Sequence, residues 1–163
     1  MFTHRIVVLS LVLLLAGCSR SKTVSTPNGD VKVEESGKAG QSSVTVTGKN
    51  GETMTINSEG GKLPDDYPKD VPVASGAKIV MATSANTADN QGSSLVLETA
   101  DSFDKTVTFY KKGLADNGWK IEGTISGENM TMLTAAKDNR QLVVQIGESN
   151  GKCSVTQNLG VKR

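Results

Sequence analysis

Apolar positions in the second half of the chain follow the period of an α-helix. Four of them are spaced by three or four residues: Phe103, Val107, Tyr110 and Leu114. This spacing places their side chains on one helix face. Asp101 or Ser102 is a suitable N-cap, and Gly118 can adopt the left-handed conformation that ends a helix. The pattern predicts one main helix that ends near residue 117.

Shorter segments around this helix have the alternation of apolar and polar residues that is typical of β-strands. Six strands are predicted, at residues 78–83, 94–99, 119–125, 130–136, 141–146 and 153–159. A polar loop is predicted over residues 84–92, and turn residues follow at 138–139 and 150–151. One helix on an antiparallel sheet makes a two-layer α+β domain, which is the predicted fold class.

Hydrophobic content divides the chain after residue 62. Residues 19–62 contain 8 hydrophobic residues in 44, whereas residues 63–163 contain 38 in 101. The poorer stretch cannot bury enough apolar surface to offset the entropy lost on ordering. We therefore predict a flexible tether over residues 18–62 and a globular domain over residues 63–163.

The tether contains a repeat. TVSTPNG at residues 23–29 recurs as TVTGKNG at residues 45–51. Asn-Gly between short β-branched runs is a strong β-hairpin signal, although Pro27 interrupts the first copy. Two interpretations stay open: a mostly mobile tether with transient hairpins, or a small β-ribbon packed against the main domain.

The N-terminus combines three features in order. His4 and Arg5 precede an apolar run over residues 6–15. As a helix this run is about 15 Å long, which is half of a bilayer's hydrocarbon core. A positive head and an apolar run of this length are typical of a secretory signal. Leu15-Ala16-Gly17-Cys18 follows directly.

This last motif resembles the lipobox of bacterial lipoproteins. The resemblance implies a signal peptide over residues 1–17, cleavage before Cys18, and a diacylglycerol on the Cys18 thiol. Two or three acyl chains would anchor the chain stably. Because Ser19 and not Asp follows the cysteine, the resemblance also implies the outer membrane, facing the periplasm. In a cell without an outer membrane, it implies the outer face of the cell membrane.

A proline-rich connector joins the tether to the domain. Residues 63–73 hold three of the four prolines, each of which fixes its own φ and so stiffens the segment. Together with residues 74–78, the connector resembles a segment of uncharacterised bacterial envelope lipoproteins that precedes a small α+β domain. We expect it to lead into the domain with Val71 and Val73 in the core.

The mature chain offers few groups for catalysis. His4 is the only histidine and lies in the predicted signal peptide, which removes His-dependent nucleophilic and zinc chemistry. Cys153 is the one thiol left if Cys18 is acylated, and we interpret it as a small residue that faces inward. We predict that the protein is not an enzyme and has no cofactor-binding residues.

Acidic and basic residues are also candidate binding groups. The acidic candidates for a calcium site are Asp65, Asp66, Asp70, Asp101 and Asp104. They lack the spacing of a calcium loop, so we interpret them as solvated charge and predict no metal site. The chain has 18 Lys and Arg against 17 Asp and Glu, and Lys111-Lys112 is too small a patch for nucleic acid.

Two functions fit these features. The favoured hypothesis is a non-catalytic, membrane-anchored envelope lipoprotein that binds an unknown envelope protein or has a structural role. The alternative is a periplasmic carrier of a small apolar ligand, with Met81, Met130, Met132 and Trp119 lining a cavity. An envelope enzyme is the least favoured of the three. The oligomeric state stays open.

Overall fold

Ten β-strands and one α-helix occupy the parts of the chain that the computed structural model describes, which are residues 20–35, 42–57, 63–64, 67–87 and 91–161. The strands are β1 (Arg20–Thr26), β2 (Gly29–Glu35), β3 (Ser42–Gly48), β4 (Thr53–Asn57), β5 (Lys78–Asn86), β6 (Gln91–Thr99), β7 (Lys120–Ser126), β8 (Met130–Lys137), β9 (Arg140–Ser149) and β10 (Lys152–Val161). The helix α1 is Phe103–Asp116. All strands pair antiparallel in one sheet, in the order β1-β2-β3-β4-β5-β6-β10-β9-β8-β7. The predicted α+β class is confirmed.

Helix α1 packs on β7, β8 and β9, and the core lies between these layers. Tyr110 and Leu114 are fully buried, and Phe103 and Val107 pack against the core from its margin, so the predicted helix face is confirmed. Gly118 follows the helix with a φ of 77°, as a left-handed terminus requires.

All six predicted strands are present, and several are longer than predicted. The loop predicted over residues 84–92 is shorter, because β5 continues to Asn86 and β6 begins at Gln91. Ser84 pairs with Ser93, and Ala85 pairs with Gly92. These small residues give no alternating apolar signal, yet their backbone groups complete the hairpin ladder.

The segment predicted as a tether contributes four strands to the same sheet. Strands β1 to β4 form successive antiparallel hairpins, and β4 then pairs with β5 from Thr53↔Asn86 to Asn57↔Ala82. Of the two interpretations left open by the sequence, the structure has the ordered ribbon. It extends the edge of the sheet and does not pack on the domain from outside.

The two sides of this four-stranded ribbon differ sharply in polarity. One side, which we call the apolar ribbon face, carries seven apolar side chains: Val24, Val31, Val33, Val44, Val46, Met54 and Ile56. Met54 pairs with Ala85 and Ile56 with Thr83, positions that alternate along β5 with the core residue Ala82. The apolar ribbon face therefore lies on the side of the sheet opposite to α1.

The α1 side of the ribbon is polar. Thr45 and Thr55 face each other there, with their hydroxyl oxygens 3.2 Å apart, and Lys32 pairs with Thr45 on the same side. In the rest of the sheet the α1 side holds the core instead. The apolar side of the sheet thus changes at β5, where the layer covered by the helix ends.

Candidate functional site: the helix–sheet interface and its strap

Residues 67–77 cross the interface between α1 and the sheet, and we call them the strap. Tyr67 and Val71 are buried in the core, which confirms the predicted inward position of Val71, and Val73 packs against the same core. Pro72 lies so close to the helix that a Cβ added at Gly113 would come within 2.9 Å of its ring. The strap therefore needs glycine at this point of α1.

Gln157 joins the strap, the helix and the sheet. It points from β10 into the interface and is fully buried. Its Nε2 donates to the carbonyl oxygen of Pro72 at 2.9 Å and to the Tyr110 hydroxyl at 3.0 Å. Its Oε1 accepts a hydrogen bond from the Tyr67 hydroxyl. This side chain of β10 thus bonds three polar groups, two in the strap and one in α1, which satisfies the buried amide.

Both tyrosines of this network stay protonated at physiological pH. Burial raises the pKa of Tyr110 to about 12, against smaller opposing effects of hydrogen bonds with Gln157 and the Ala74 backbone. Burial also raises the pKa of Tyr67, and Tyr110 adds to this effect. The network therefore consists of neutral donors and acceptors and supplies no acid or base near neutral pH.

A second cluster holds the strap at Asp70, between the two strap residues that contact Gln157. Asp70 accepts hydrogen bonds from Arg140 Nη1 at 2.9 Å, Arg140 Nη2 at 2.7 Å and Lys137 Nζ at 2.6 Å. Its backbone carbonyl accepts from Trp119 Nε1 at 2.9 Å. The Arg140 guanidinium lies 4.9 Å from the centre of the Trp119 ring, within range of a cation–π contact.

The charges of this cluster stabilise one another. Hydrogen bonds from Arg140 are the largest cause that holds the pKa of the Asp70 carboxyl well below its usual range, and Lys137 adds to them. The same pair raises the pKa of Arg140. Both carboxylate oxygens of Asp70 already accept hydrogen bonds from Arg140 or Lys137. Asp70 therefore has a structural role.

Apolar side chains make up the rest of the core at this interface. The sheet contributes fully buried residues to it, among them Leu95, Leu97, Leu133, Leu142, Val144 and Ile146. Ser93 points to the α1 side, since its partners on the neighbouring strands are Ser84 and Leu159, both buried. Its hydroxyl is the one buried side-chain oxygen or nitrogen without a hydrogen-bond partner in the described residues.

The structure does not bring together the four residues predicted to line a cavity. Trp119 is buried at the interface, but Met81 and Met130 are 43% and 42% exposed. Met81 pairs with Val96, and Met132 pairs with Gln145, so both lie on the side of the sheet away from α1. The predicted cavity lining is wrong because the register of β5 and β8 places Met81 and Met132 on the side of the sheet away from α1.

The other predicted residues have varied outcomes. Cys153 is buried on β10, so its predicted inward position is confirmed. Asp101 accepts a hydrogen bond from Lys105 at 2.6 Å, a surface ion pair. Cys18, the predicted lipidation site, lies outside the described residues, as do Asp65 and Asp66. Among the residues that are described, no three His, Cys, Asp or Glu side chains are grouped to hold a metal ion.

Sequence reasoning missed Gln157 and Tyr67. Positions 153, 155, 157 and 159 all fall on the inward face of one strand, so a glutamine at 157 could have been identified as a buried polar residue. Tyr67 gave no such signal, since its burial depends on how the strap crosses the sheet.

The sequence comparison locates one similarity within this architecture. Residues 79–152 match a family model described as START domain-like. The match runs from β5 to the start of β10 and so includes α1, Trp119 and Arg140, but not the ribbon, the strap or Gln157. No curated protein and no solved structure matches the chain. None of the helical segments in the described residues has the length and hydropathy of a membrane span.

Proposed function

We propose that the chain is a bacterial envelope lipoprotein, held in its membrane by lipid on Cys18, whose α+β domain carries a small apolar ligand between α1 and the sheet. The observation that carries this proposal is the similarity of residues 79–152 to START domain-like proteins, which suggests binding of a lipid or another apolar molecule. Ser19 favours the periplasmic face of the outer membrane. The proposal assigns binding and no chemical reaction to the domain.

The chemistry of the interface supports an amphiphilic ligand. Sites for such molecules are mostly apolar and contain a few convergent polar groups. Leucine side chains from β6 and β8 supply the apolar surface, and the Ser93 hydroxyl is free to bond a polar end group. Since buried polar atoms are normally hydrogen-bonded, a ligand would supply the partner that Ser93 lacks.

Access to the interface requires the strap to move. The strap is held by the Gln157–Pro72 hydrogen bond and by the ion pairs of Asp70 with Arg140 and Lys137. We propose that these contacts open when the ligand is taken up and re-form when the site is empty. The strap would then cover the ligand site, and the hydrogen bonds of Gln157 and the ion pairs of Asp70 would hold it closed.

The test uses Trp119, the only tryptophan of the chain, as a fluorescence donor. The purified protein is titrated with a fatty acid labelled with a fluorophore that accepts excitation energy from tryptophan. We expect saturable energy transfer from Trp119, because this side chain is buried at the interface. Native mass spectrometry of protein extracted from the envelope should show the bound natural ligand directly.

A pair of neighbouring alanines on β8 supplies the control. Ala135 is fully buried on the α1 side, whereas Ala136 points to the other side of the sheet. Ala135→Leu should weaken the energy transfer by filling the interface, while Ala136→Leu should leave it unchanged. Thermal unfolding of both variants checks that they fold, since overpacking costs about 1–3 kcal/mol. Equal binding by both folded variants, or no transfer at all, would refute the proposed ligand site.

The role as a protein-binding or structural module, which the sequence analysis favoured, stays a prediction. Affinity capture from the native envelope, with Cys18→Ala for comparison, is its test. A specific partner that dissociates from Cys18→Ala would favour that role over ligand transport.

A further inference from the structure

The apolar ribbon face gathers nearly all of the hydrophobic residues in its part of the chain. Residues 19–62 contain eight. Seven of them lie on this one face, and the eighth, Ala39, is outside the described residues. The face is also open: Val24 is 59% exposed and Met54 is 45% exposed. Contiguous exposed apolar surface of this kind marks an interaction site.

We propose that the apolar ribbon face lies on the lipid bilayer that holds the anchor. This inference rests on the proposed lipidation of Cys18 and adds a second contact to it. Only Ser19 separates Cys18 from the first residue of β1, Arg20. Two residues span at most about 7 Å, so a lipid on Cys18 holds the ribbon at the membrane surface.

The position of the helix leaves this side of the sheet accessible to the bilayer. Helix α1 and the core cover the opposite side, so nothing in the described residues lies between the apolar ribbon face and its surroundings. The polar side of the ribbon, with its paired threonines, would then face water. A two-sided ribbon of this kind resembles an amphipathic helix at an interface, with strands in place of the helix.

Charge on the face fits the headgroup region. Lys22 pairs with Val33 and therefore points to the same side of β1 as Val24. A lysine beside an exposed valine can keep its ammonium group among anionic headgroups while the valine contacts acyl chains. We therefore expect the contact to be stronger on vesicles that contain phosphatidylglycerol than on vesicles of phosphatidylcholine alone.

The test compares two neighbouring positions on β3. Val46 lies on the apolar ribbon face and Thr47 on the polar side. In the full lipidated chain, Val46→Cys and Thr47→Cys each introduce one accessible thiol, since Cys153 is buried and Cys18 is acylated. Each variant is labelled with an environment-sensitive fluorophore and reconstituted into phosphatidylglycerol-containing vesicles.

Membrane contact predicts different behaviour at the two positions. The fluorophore at Val46 should shift its emission to the blue, be quenched by brominated acyl chains, and be quenched by iodide roughly threefold less than the fluorophore at Thr47. Val24→Cys and Ser25→Cys on the edge strand β1 repeat the comparison, in case substitution on β3 disturbs pairing.

Three results would overturn the inference. If the protein floats with vesicles but iodide reaches both positions equally, the anchor stands and the docking is wrong. If the protein does not float with vesicles, the proposed anchor fails and the docking fails with it. The third result concerns the unlipidated Cys18→Ala chain without vesicles. If the fluorophore at position 46 of this chain is protected from iodide, and more so at higher protein concentration, then a second copy of the chain covers the face.

Discussion

Replacing Gln157 by leucine tests whether the buried amide fastens the strap. Leucine has nearly the volume of glutamine, so Gln157→Leu removes hydrogen bonds without opening a cavity. Three bonds are lost, to Tyr67, Tyr110 and Pro72. At about 1 kcal/mol each they sum to about 3 kcal/mol, and the hydroxyls left without their amide partner add to the loss. Burial of the leucine offsets about 1 kcal/mol. We expect a net loss of about 2–4 kcal/mol in the free energy of unfolding.

Urea unfolding followed by Trp119 fluorescence measures this loss. Asn158→Leu is the matched control, because Asn158 is the next residue on β10, is exposed, and bonds Ser94 on the other side of the sheet. Trypsin adds a readout specific to the strap, since Lys69 is exposed within it and should be cleaved faster in Gln157→Leu. Equal stability loss in both variants, with unchanged cleavage after Lys69, would refute the role of Gln157.

Three further predictions test the core, the ion cluster and the anchor. Leu114→Ala should cost about 2–5 kcal/mol in the free energy of unfolding, because Leu114 is fully buried. Phe109→Ala, at an exposed helix position, should cost much less. Thermal or urea unfolding of the two variants measures this, and similar losses would contradict the packing described. Asp70→Asn should cost about 1–3 kcal/mol at pH 7. Because the pKa of Asp70 is lowered in the folded state, its stabilisation is complete above the unfolded carboxyl pKa of about 3.9 and is lost progressively as the pH falls from there through the folded pKa. The difference in stability between wild type and Asp70→Asn should therefore narrow when unfolding is measured from about pH 4 to about pH 2. Radioactive palmitate should label the wild type and not Cys18→Ala, and persistence of Cys18→Ala in salt-washed membranes would contradict an anchor made by lipid alone.

The sequence was sufficient for the elements that have a clear period. The spacing from Phe103 to Leu114 predicted both the helix and its buried face, and alternation predicted each strand of the second half. These signals are strong because one side of each element is buried by the same two-layer packing.

The ribbon was harder to predict because its stability is not visible in its composition. Residues 19–62 have few hydrophobic residues, and this low content taken alone indicates a mobile segment. Their arrangement matters more: all seven valine, methionine and isoleucine residues of the ribbon strands lie on one face, and β4 gains backbone pairing from β5. Pairing to an existing sheet edge can order a segment that has too little apolar surface to fold alone.

The candidate site was predictable only in part, because it depends on contacts between distant residues. Of the four residues predicted to line a cavity, Trp119 is buried at the interface. The bond between Tyr67 and Gln157 joins positions 90 residues apart, and no local pattern predicts such a pair. The register of β5 and β8, which turns the methionines outward, likewise depends on long-range pairing.

The place of β10 in the sheet has a consequence for how the protein is made. This strand is the last of the described elements in chain order, yet it lies between β6 and β9 and joins the two halves of the sheet. Until β10 has been synthesised, β6 and β9 each present an unpaired edge, and the core lacks Val155 and Gln157. If the chain is exported N-terminus first, as the proposed signal peptide would imply, the sheet would remain incomplete until β10 has crossed the membrane. Loss of the last strand would expose two sheet edges at once, a condition that favours aggregation over folding.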